Sequence, residues 1–289
     1  MKILITGDIS TWNIGDFSVS KINTDILNKI NTSDTVIYNL EGPIGNSSTG
    51  IQSFSENSFK NNLLKKINSL FDKEQPLVFS DESILNLLKQ NPRTIVTLAN
   101  NHIKDLGKEG FLNTISILDG NSIGYIGGEE KDRKNSRADI SEDISVLNYN
   151  FIGKKSSLDL YGSSKDTFGA SSASLKVIRK EVEELKKEGQ KIILILHIGK
   201  EMVEDISKWN LNMEEIRELN SDITVIHHPH MYIKTEYEKD NIFILGDFIF
   251  HRPDKFDPDR NTAILEVEQI NGKLIPSLCK IAVSDIYSY

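Results

Sequence analysis

Short runs of apolar residues recur along the chain, and each run ends in a cluster of polar residues. The runs are rich in β-branched residues and do not alternate with polar ones, a pattern typical of strands buried on both faces. Such runs occupy residues 2–6, 35–38, 94–98, 192–196, 223–226 and 242–245. The pattern therefore predicts a strand at each of these six places.

Amphipathic segments lie between several of these runs, with apolar residues at the spacing of a helix. They cover residues 18–30, 83–90, 111–118 and 174–188. In the last and clearest segment, Ile178, Val182 and Leu185 share one face, and Gly189 is placed to end the helix. Strands that alternate with helices predict a layered α/β fold with a mainly parallel sheet.

Two segments interrupt this alternation. Residues 45–62 are rich in Ser and Asn and are predicted to form a surface loop or lid, and residues 127–143 carry dense mixed charge and are predicted to be a solvated loop. The chain contains neither an internal repeat nor a clear linker. We therefore predict a single domain that spans residues 1–289.

Composition argues against two classes of partner, nucleic acids and membranes. The formal net charge of -8 argues against nucleic acid as a general partner. No stretch approaches the roughly 18 apolar residues of a membrane helix, so no membrane insertion is expected. The first apolar run is too short for a signal peptide and ends at Asp8, which favours a cytoplasmic location.

The polar residues that follow the apolar runs are candidates for a functional site, because ligands of α/β sheets bind beyond the carboxyl ends of the strands. Imidazole ligands favour zinc, iron and their neighbours, whereas carboxylates favour harder ions. The candidates that follow the runs are Asp8, Glu41, Asn101, His102, His197, His228 and His230.

The distribution of histidine strengthens this interpretation. Five of the six histidines directly follow apolar runs, namely His102, His197, His227, His228 and His230. Each residue alone has a structural explanation: Asp8 and Asn101 suit turns, and His197 suits a buried core position. Their joint occurrence instead indicates one or two divalent metal ions that act on a phosphoester. The sequence has neither a Gly-x-Ser-x-Gly elbow nor a phosphate-binding P-loop.

Several motifs together resemble a known family. They include Gly-Asp at 7–8, Asn-Leu-Glu-Gly-Pro at 39–43, Asn-Asn-His at 100–102, His-Ile-Gly-Lys-Glu at 197–201, His-His-Pro-His at 227–230 and Leu-Gly-Asp-Phe at 245–248. In this order they resemble the capsule-synthesis CapA family, also called poly-γ-glutamate synthesis proteins, which is similar to calcineurin-like metallophosphoesterases. The resemblance implies a calcineurin-like layered α/β sandwich, with central, mostly parallel sheets flanked by helices.

The resemblance also implies two divalent metal ions, of manganese, iron or zinc. Asp8 and His230 would hold one ion, and Glu41 would bridge the two. The second ion would be held by Asn101, His197 and His228. The chain departs from the family pattern at several positions. Ser10 stands where many metallophosphoesterases have His, and Asp247 stands where the family usually has Asn. Ile198 stands where the family often has Trp, and Ile226 where it usually has Gly.

Other residues are expected to face the substrate. His102 follows the proposed ligand Asn101, and neighbours in a turn cannot easily point at one ion, so His102 is predicted to be catalytic. Asp105 would hold its ring, although Asp105 also suits a turn or helix start. His227, Arg252 and Arg260 are predicted to bind substrate. For both arginines, a solvated loop over residues 251–260 is the alternative.

The sequence therefore favours a metal-dependent phosphoesterase in capsule or surface-polymer biosynthesis. Its substrate would be a small phosphorylated compound or a polymer precursor. A second interpretation is a non-catalytic component of a capsule or polyglutamate synthesis complex, with capsule-synthesis proteins as partners. A third is a metal-dependent amide or peptide hydrolase, because the same activated water attacks acyl carbons.

Overall fold

The computed structural model describes residues 1–45, 77–130, 135–152, 168–209, 211–250 and 260–288. Within them the strands are β1 (Lys2–Ile9), β2 (Thr35–Leu40), β3 (Thr94–Thr97), β4 (Gly124–Ile126), β5 (Gly128–Glu129), β6 (Arg137–Ser141), β7 (Ile144–Asn150), β8 (Gly169–Ala170), β9 (Lys191–His197), β10 (Ile223–His227), β11 (Ile242–Ile244), β12 (Asp247–Ile249), β13 (Asn261–Ile270) and β14 (Lys273–Ala282). The six strands predicted from apolar runs correspond to β1, β2, β3, β9, β10 and β11, so this prediction is confirmed.

Two sheets form the framework of the described part of the chain. The first has the order β14-β13-β1-β2-β3-β4, with β12 also paired with β1. Strands β1 to β4 and β12 run parallel, while the β13–β14 hairpin is antiparallel and joins at β1. The second sheet has the order β11-β10-β9-β7-β6, and only β6 is antiparallel to its neighbour.

Helices flank these sheets. They are α1 (Thr24–Thr32), α2 (Leu85–Leu88), α3 (Gly107–Gly120), α4 (Leu175–Lys187) and α5 (Met213–Arg217). Helix α4 begins at Ser174, whose side chain accepts a hydrogen bond from the Val177 amide, and its buried face carries Ile178, Val182 and Leu185 as predicted. Gly189 follows with a φ of 85°, which only glycine adopts without strain.

The two sheets share a hydrophobic core. Ile3 and Ile5 of β1 belong to the same buried cluster as Ile193 and Ile195 of β9. Because removal of this apolar surface from water stabilises both sheets together, it ties them into one folding unit. We therefore propose that residues 1–289 form a single domain.

The predicted solvated loop at residues 127–143 is partly wrong. Residues 128–129 form β5, and residues 137–141 form β6, which pairs with β7. Ile140 is buried and joins the core between the sheets, so burial outweighs the mixed charge of this segment. Most of the predicted loop at 45–62, and Arg252, lie outside the described residues.

Among the described residues, no helix combines the length and the apolar character that are needed to cross a membrane.

Candidate metal centre

The carboxylate of Asp8 lies between two neighbouring strands near the end of β1. In the strand register, Asp8 pairs with Asp247 on one side and with Asn39 on the other. Asn39 donates a hydrogen bond of 2.7 Å to Asp8 Oδ1. The strands come unusually close at Gly7, where a Cβ atom would lie 1.8 Å from the carbonyl oxygen of Gly246. Glycine at position 7 therefore permits the approach that brings Asp8 and Asp247 together.

The histidine-rich loop after β10 has a strained backbone. His228 has a φ of 94° and His230 a φ of 57°, in the left-handed region that side chains other than glycine rarely adopt. Such conformations cost about 1–3 kcal/mol each and concentrate at functional sites, where other interactions hold them. The loop turns the two imidazoles towards the carboxylates at the ends of β1 and β2.

Glu41 is the most informative residue of the cluster. Its side chain is 0% exposed, and neither carboxylate oxygen has a hydrogen-bond partner among the described residues. Glu41 Oε1 lies 3.7 Å from His230 Nε2, with two further nitrogens at similar distance: His102 Nε2 at 3.8 Å and His197 Nε2 at 3.9 Å. These distances exceed those of hydrogen bonds.

The cluster fits a divalent cation. Two sets have potential ligand atoms within 4.8 Å of one another, Glu41 with His228 and His230, and Asp8 with His230 and Asp247. A divalent ion with ligand bonds of about 2.0–2.2 Å would fit in the space between these atoms. A buried carboxylate without hydrogen bonds is otherwise costly. The unpaired oxygens of Glu41 therefore support a metal ion as the missing partner.

The electrostatics of the site agree with this assignment. Burial raises the pKa of Glu41 well above its usual value, and the nearby charges of Asp8 and Asp247 raise it further. Burial lowers the pKa of His197 well below its usual value and that of His228 to about 3. Both imidazoles are therefore neutral, as metal ligands must be.

The pKa values of Asp8 and His230 are shifted in the opposite direction: that of Asp8 is lowered, unlike that of Glu41, and that of His230 is raised, unlike that of His228. Burial would raise the pKa of Asp8, but the hydrogen bond and charge of His227 hold it below its usual range. Burial would lower the pKa of His230, but the charges of Asp247 and Glu41 raise it to about 10. His230 is therefore one of the positive groups beside these acids, together with Arg260 at Asp247.

A buried chain of side chains fixes the ring of His230. Its Nδ1 lies 2.7 Å from Asp247 Oδ1, and Arg260 donates from Nη2 to Asp247 Oδ2 at 2.5 Å. Carboxylates commonly bind the second nitrogen of metal-ligating histidines in this way. His230 Nε2 is therefore the nitrogen left to face Glu41.

Sequence reasoning treated Asp247 as a departure from the family and missed this contact. A signal existed, because Gly246-Asp247 follows an apolar run as Gly7-Asp8 does. Arg260, predicted to bind substrate, is 6% exposed and contacts Asp247.

The remaining candidate residues differ in how deeply they are buried at the candidate metal centre. His197 Nε2 lies 2.8 Å from Asn101 Oδ1, so these two residues adjoin each other as the metal assignment requires. His102 Nδ1 lies 2.7 Å from Asp105 Oδ2, and the His102 side chain is 15% exposed. His227, predicted to bind substrate, is buried with Nδ1 3.0 Å from Asp8 Oδ1.

The fold and this cluster together define the class of protein. The two packed sheets form a layered α/β sandwich with mostly parallel strands, as predicted, and a candidate metal centre lies at the carboxyl ends of these strands. A family model described as "Bacterial capsule synthesis protein PGA_cap" matches residues 2–252. The chain belongs to this family of bacterial capsule synthesis proteins.

Individual relatives agree with the family. The PGA biosynthesis protein CapA of Bacillus subtilis (strain 168) is 26% identical over 187 residues, a match that covers 62% of this chain and 48% of the relative. The capsule biosynthesis protein CapA of Bacillus anthracis is 25% identical over 249 residues, covering 82% of this chain and 58% of the relative. The chain thus spans about half the length of these relatives.

A solved structure also resembles this chain. It is a Staphylococcus aureus protein described as a 5′-nucleotidase, in complex with α-ketoglutarate, with a TM-score of 0.54 and 12% identity. The match covers 100% of this chain and 55% of the other. At this identity the likeness concerns the fold alone.

Proposed function

We propose that this protein is a metal-dependent phosphoester hydrolase that acts in making or trimming a capsule or related surface polymer. The observation that carries the proposal is Glu41, whose buried carboxylate lacks hydrogen-bond partners among the described residues and faces three imidazole nitrogens at 3.7–3.9 Å. Two bound ions of manganese, iron or zinc would activate a water molecule and neutralise phosphate oxygens. Their ligands would be Asp8, Glu41, Asn101, His197, His228 and His230.

His102 has a different role in this proposal. Asp105 holds its Nδ1, and its Nε2 points towards the cluster, 3.8 Å from Glu41 Oε1. The side chain is more exposed than that of His197 or His230, so it can reach a substrate that lies over the metal centre. His102 would bind the phosphoryl group and donate a proton to the departing oxygen.

The substrate class follows from the family and the chemistry of the site. A small phosphorylated compound or a polymer precursor would fit a family of capsule synthesis proteins. The net charge of -8 disfavours a nucleic-acid backbone, while cations in the cluster would attract a single phosphoryl group.

A second candidate function is a non-catalytic component of a capsule-polymer synthesis complex. Ser10 favours this candidate, because its hydroxyl donates to the Phe79 carbonyl oxygen at 3.2 Å and accepts from the Trp12 amide at 3.1 Å. These bonds engage the Ser10 hydroxyl with the backbone of Phe79 and Trp12, at the position where many metallophosphoesterases have a histidine ligand. Capsule-synthesis proteins would then be the functional partners.

An assay of phosphoester hydrolysis distinguishes the hydrolase from the non-catalytic component. With manganese added, the purified protein is expected to hydrolyse a generic aryl phosphate or phosphodiester, and to stop when the metal is chelated. The substrate set should extend to sugar phosphates and nucleotides, with His228→Ala as a control that lacks a proposed ligand. Full metal content without turnover on any of these compounds would favour the non-catalytic candidate, which recovery of polymer-synthesis proteins in a pull-down would support.

A further inference from the structure

The carboxylate of Glu201 reaches the candidate metal centre from the loop after β9, which contributes none of the metal ligands proposed so far. Glu201 Oε1 lies 3.8 Å from His230 Nε2, almost the same distance as Glu41 Oε1 at 3.7 Å. The same nitrogen therefore faces two carboxylates from different parts of the chain. The Glu201 side chain is 31% exposed and Glu41 is fully buried, so Glu201 lies on the solvent side of the cluster.

The turn that carries Glu201 is held firmly after β9. Gly199 has a φ of 121°, and a Cβ atom there would lie 2.9 Å from the ring of Trp209. Trp209 in turn donates from Nε1 to the Val203 carbonyl oxygen at 2.8 Å. The turn is therefore packed against the indole on both sides of Glu201.

The same turn is fastened to the histidine-rich loop. Met202 has a left-handed φ of 55°, and its amide donates to the Pro229 carbonyl oxygen at 3.1 Å. Pro229 lies between His228 and His230 in the chain. Methionine in this conformation is strained, so the hydrogen bond to Pro229 and the packing of the turn must hold it in the position that brings Glu201 near His230.

An ion bound near His230 would also lack the histidine ligand that many metallophosphoesterases have, because residue 10 is Ser in this chain. The hydroxyl of Ser10 is engaged with the backbone of Phe79 and Trp12. A divalent cation bound through His230 Nε2 could then take a ligand from Glu201, whose carboxylate lies near the same nitrogen. Carboxylate oxygen suits manganese and other hard divalent ions at such a position.

We propose that Glu201 is a ligand of the ion bound through His230 Nε2 and replaces the side chain that Ser10 does not provide. The inference rests on the metal centre proposed above. It adds a ligand from the turn after β9 to the set that was assigned from strand ends. The proposed ligands of this ion would then be Asp8, Glu41, His230 and Glu201.

Calorimetric titration of metal-free protein with Mn²⁺ tests this assignment. Wild-type protein is expected to bind two equivalents, and Glu201→Gln is expected to weaken one of them by at least about 10-fold. Glu204→Gln is the matched control, because it removes the same charge from an exposed position of the same loop. It should bind Mn²⁺ within about twofold of wild type, and both variants should unfold like wild type in EDTA.

Cobalt substitution separates direct ligation from an electrostatic effect. Loss of a carboxylate ligand changes the visible absorption of bound Co²⁺, so Glu201→Gln should alter the spectrum and Glu204→Gln should not. Unchanged Mn²⁺ affinity and an unchanged Co²⁺ spectrum in Glu201→Gln would overturn the Glu201 assignment while leaving the metal centre intact. Wild-type protein that binds no metal would overturn both. Wild-type protein that binds metal without hydrolysis would count only against the proposed activity.

Discussion

Glu41→Gln is expected to weaken binding of both ions and to reduce phosphoester hydrolysis to background. The carboxylate of Glu41 adjoins nitrogens of His102, His197 and His230, so a bridging role would make both ions depend on it. At a Mn²⁺ concentration of 100 times Kd, a bound ion stabilises the fold by about 2.7 kcal/mol. Urea unfolding with and without Mn²⁺ should show that Glu41→Gln loses most of this stabilisation.

The metal-free proteins provide the matching control. In EDTA, Glu41→Gln should be at least as stable as wild type, because folding buries the wild-type carboxylate without hydrogen bonds. Folding raises the pKa of Glu41 above 4.5, so its contribution to stability is present below that pH and is lost as the pH rises. Relative to Glu41→Gln, metal-free wild type should therefore lose stability above about pH 4.5. Glu109→Gln makes the same charge change at an exposed site. If Glu41→Gln bound metal and turned over like Glu109→Gln, Glu41 would have no part in the centre.

His102→Ala is expected to lower hydrolysis by about 10²–10⁴-fold while metal content and folding remain close to normal. Its ring is held by Asp105 and is more exposed than the proposed ligands, which suits proton donation to a substrate. The loss should be smaller for a nitrophenyl ester, because its leaving group needs no proton. Steady-state rates on alkyl and nitrophenyl esters, with metal analysis of each variant, measure the effect.

His197→Ala and His228→Ala serve as the comparison, because both should lose metal before any other property changes. His197 adjoins Asn101 and Glu41, and His228 belongs to the cluster of possible ligands with Glu41. If His102→Ala emptied the centre as thoroughly as these variants, His102 would be a ligand or a structural support rather than a proton donor.

The elements that hold the site were largely predictable from the sequence. Buried strands of parallel sheets leave uninterrupted apolar runs, and the polar residues after them mark the edge where ligands bind. Asp8, Glu41, Asn101, His197, His228 and His230 were all proposed as site residues from this pattern. The contact between His102 and Asp105 was also accessible, since the two residues are three positions apart in one turn.

Features that depend on distant parts of the chain were not predictable. Strand β12 pairs with β1 across more than two hundred residues, and this register brings Asp247 beside Asp8. The hairpin of β13 and β14 places Arg260, which precedes it, against Asp247. Residues 137–141 form an edge strand because Ile140 is buried between the sheets, although the charge of that segment predicted a loop.

The position of the Glu201 side chain was likewise not predictable from the sequence. Its motif was visible in the sequence, but its position depends on the packing of Gly199 against Trp209 and on the amide of Met202. Periodicity and composition carry no information on such contacts. Only the folded chain brings Glu201 to His230.

The metal content of the purified protein tests the central claim most directly. Elemental analysis of wild-type protein, as isolated and after incubation with Mn²⁺, Fe²⁺ or Zn²⁺ and desalting, should find up to two equivalents of divalent metal per chain. Calorimetric titration of the metal-free protein should give the same stoichiometry, and Glu41→Gln should retain less. If both methods find no bound ion in wild-type protein, the cluster of Asp8, Glu41 and the histidines is not a metal centre.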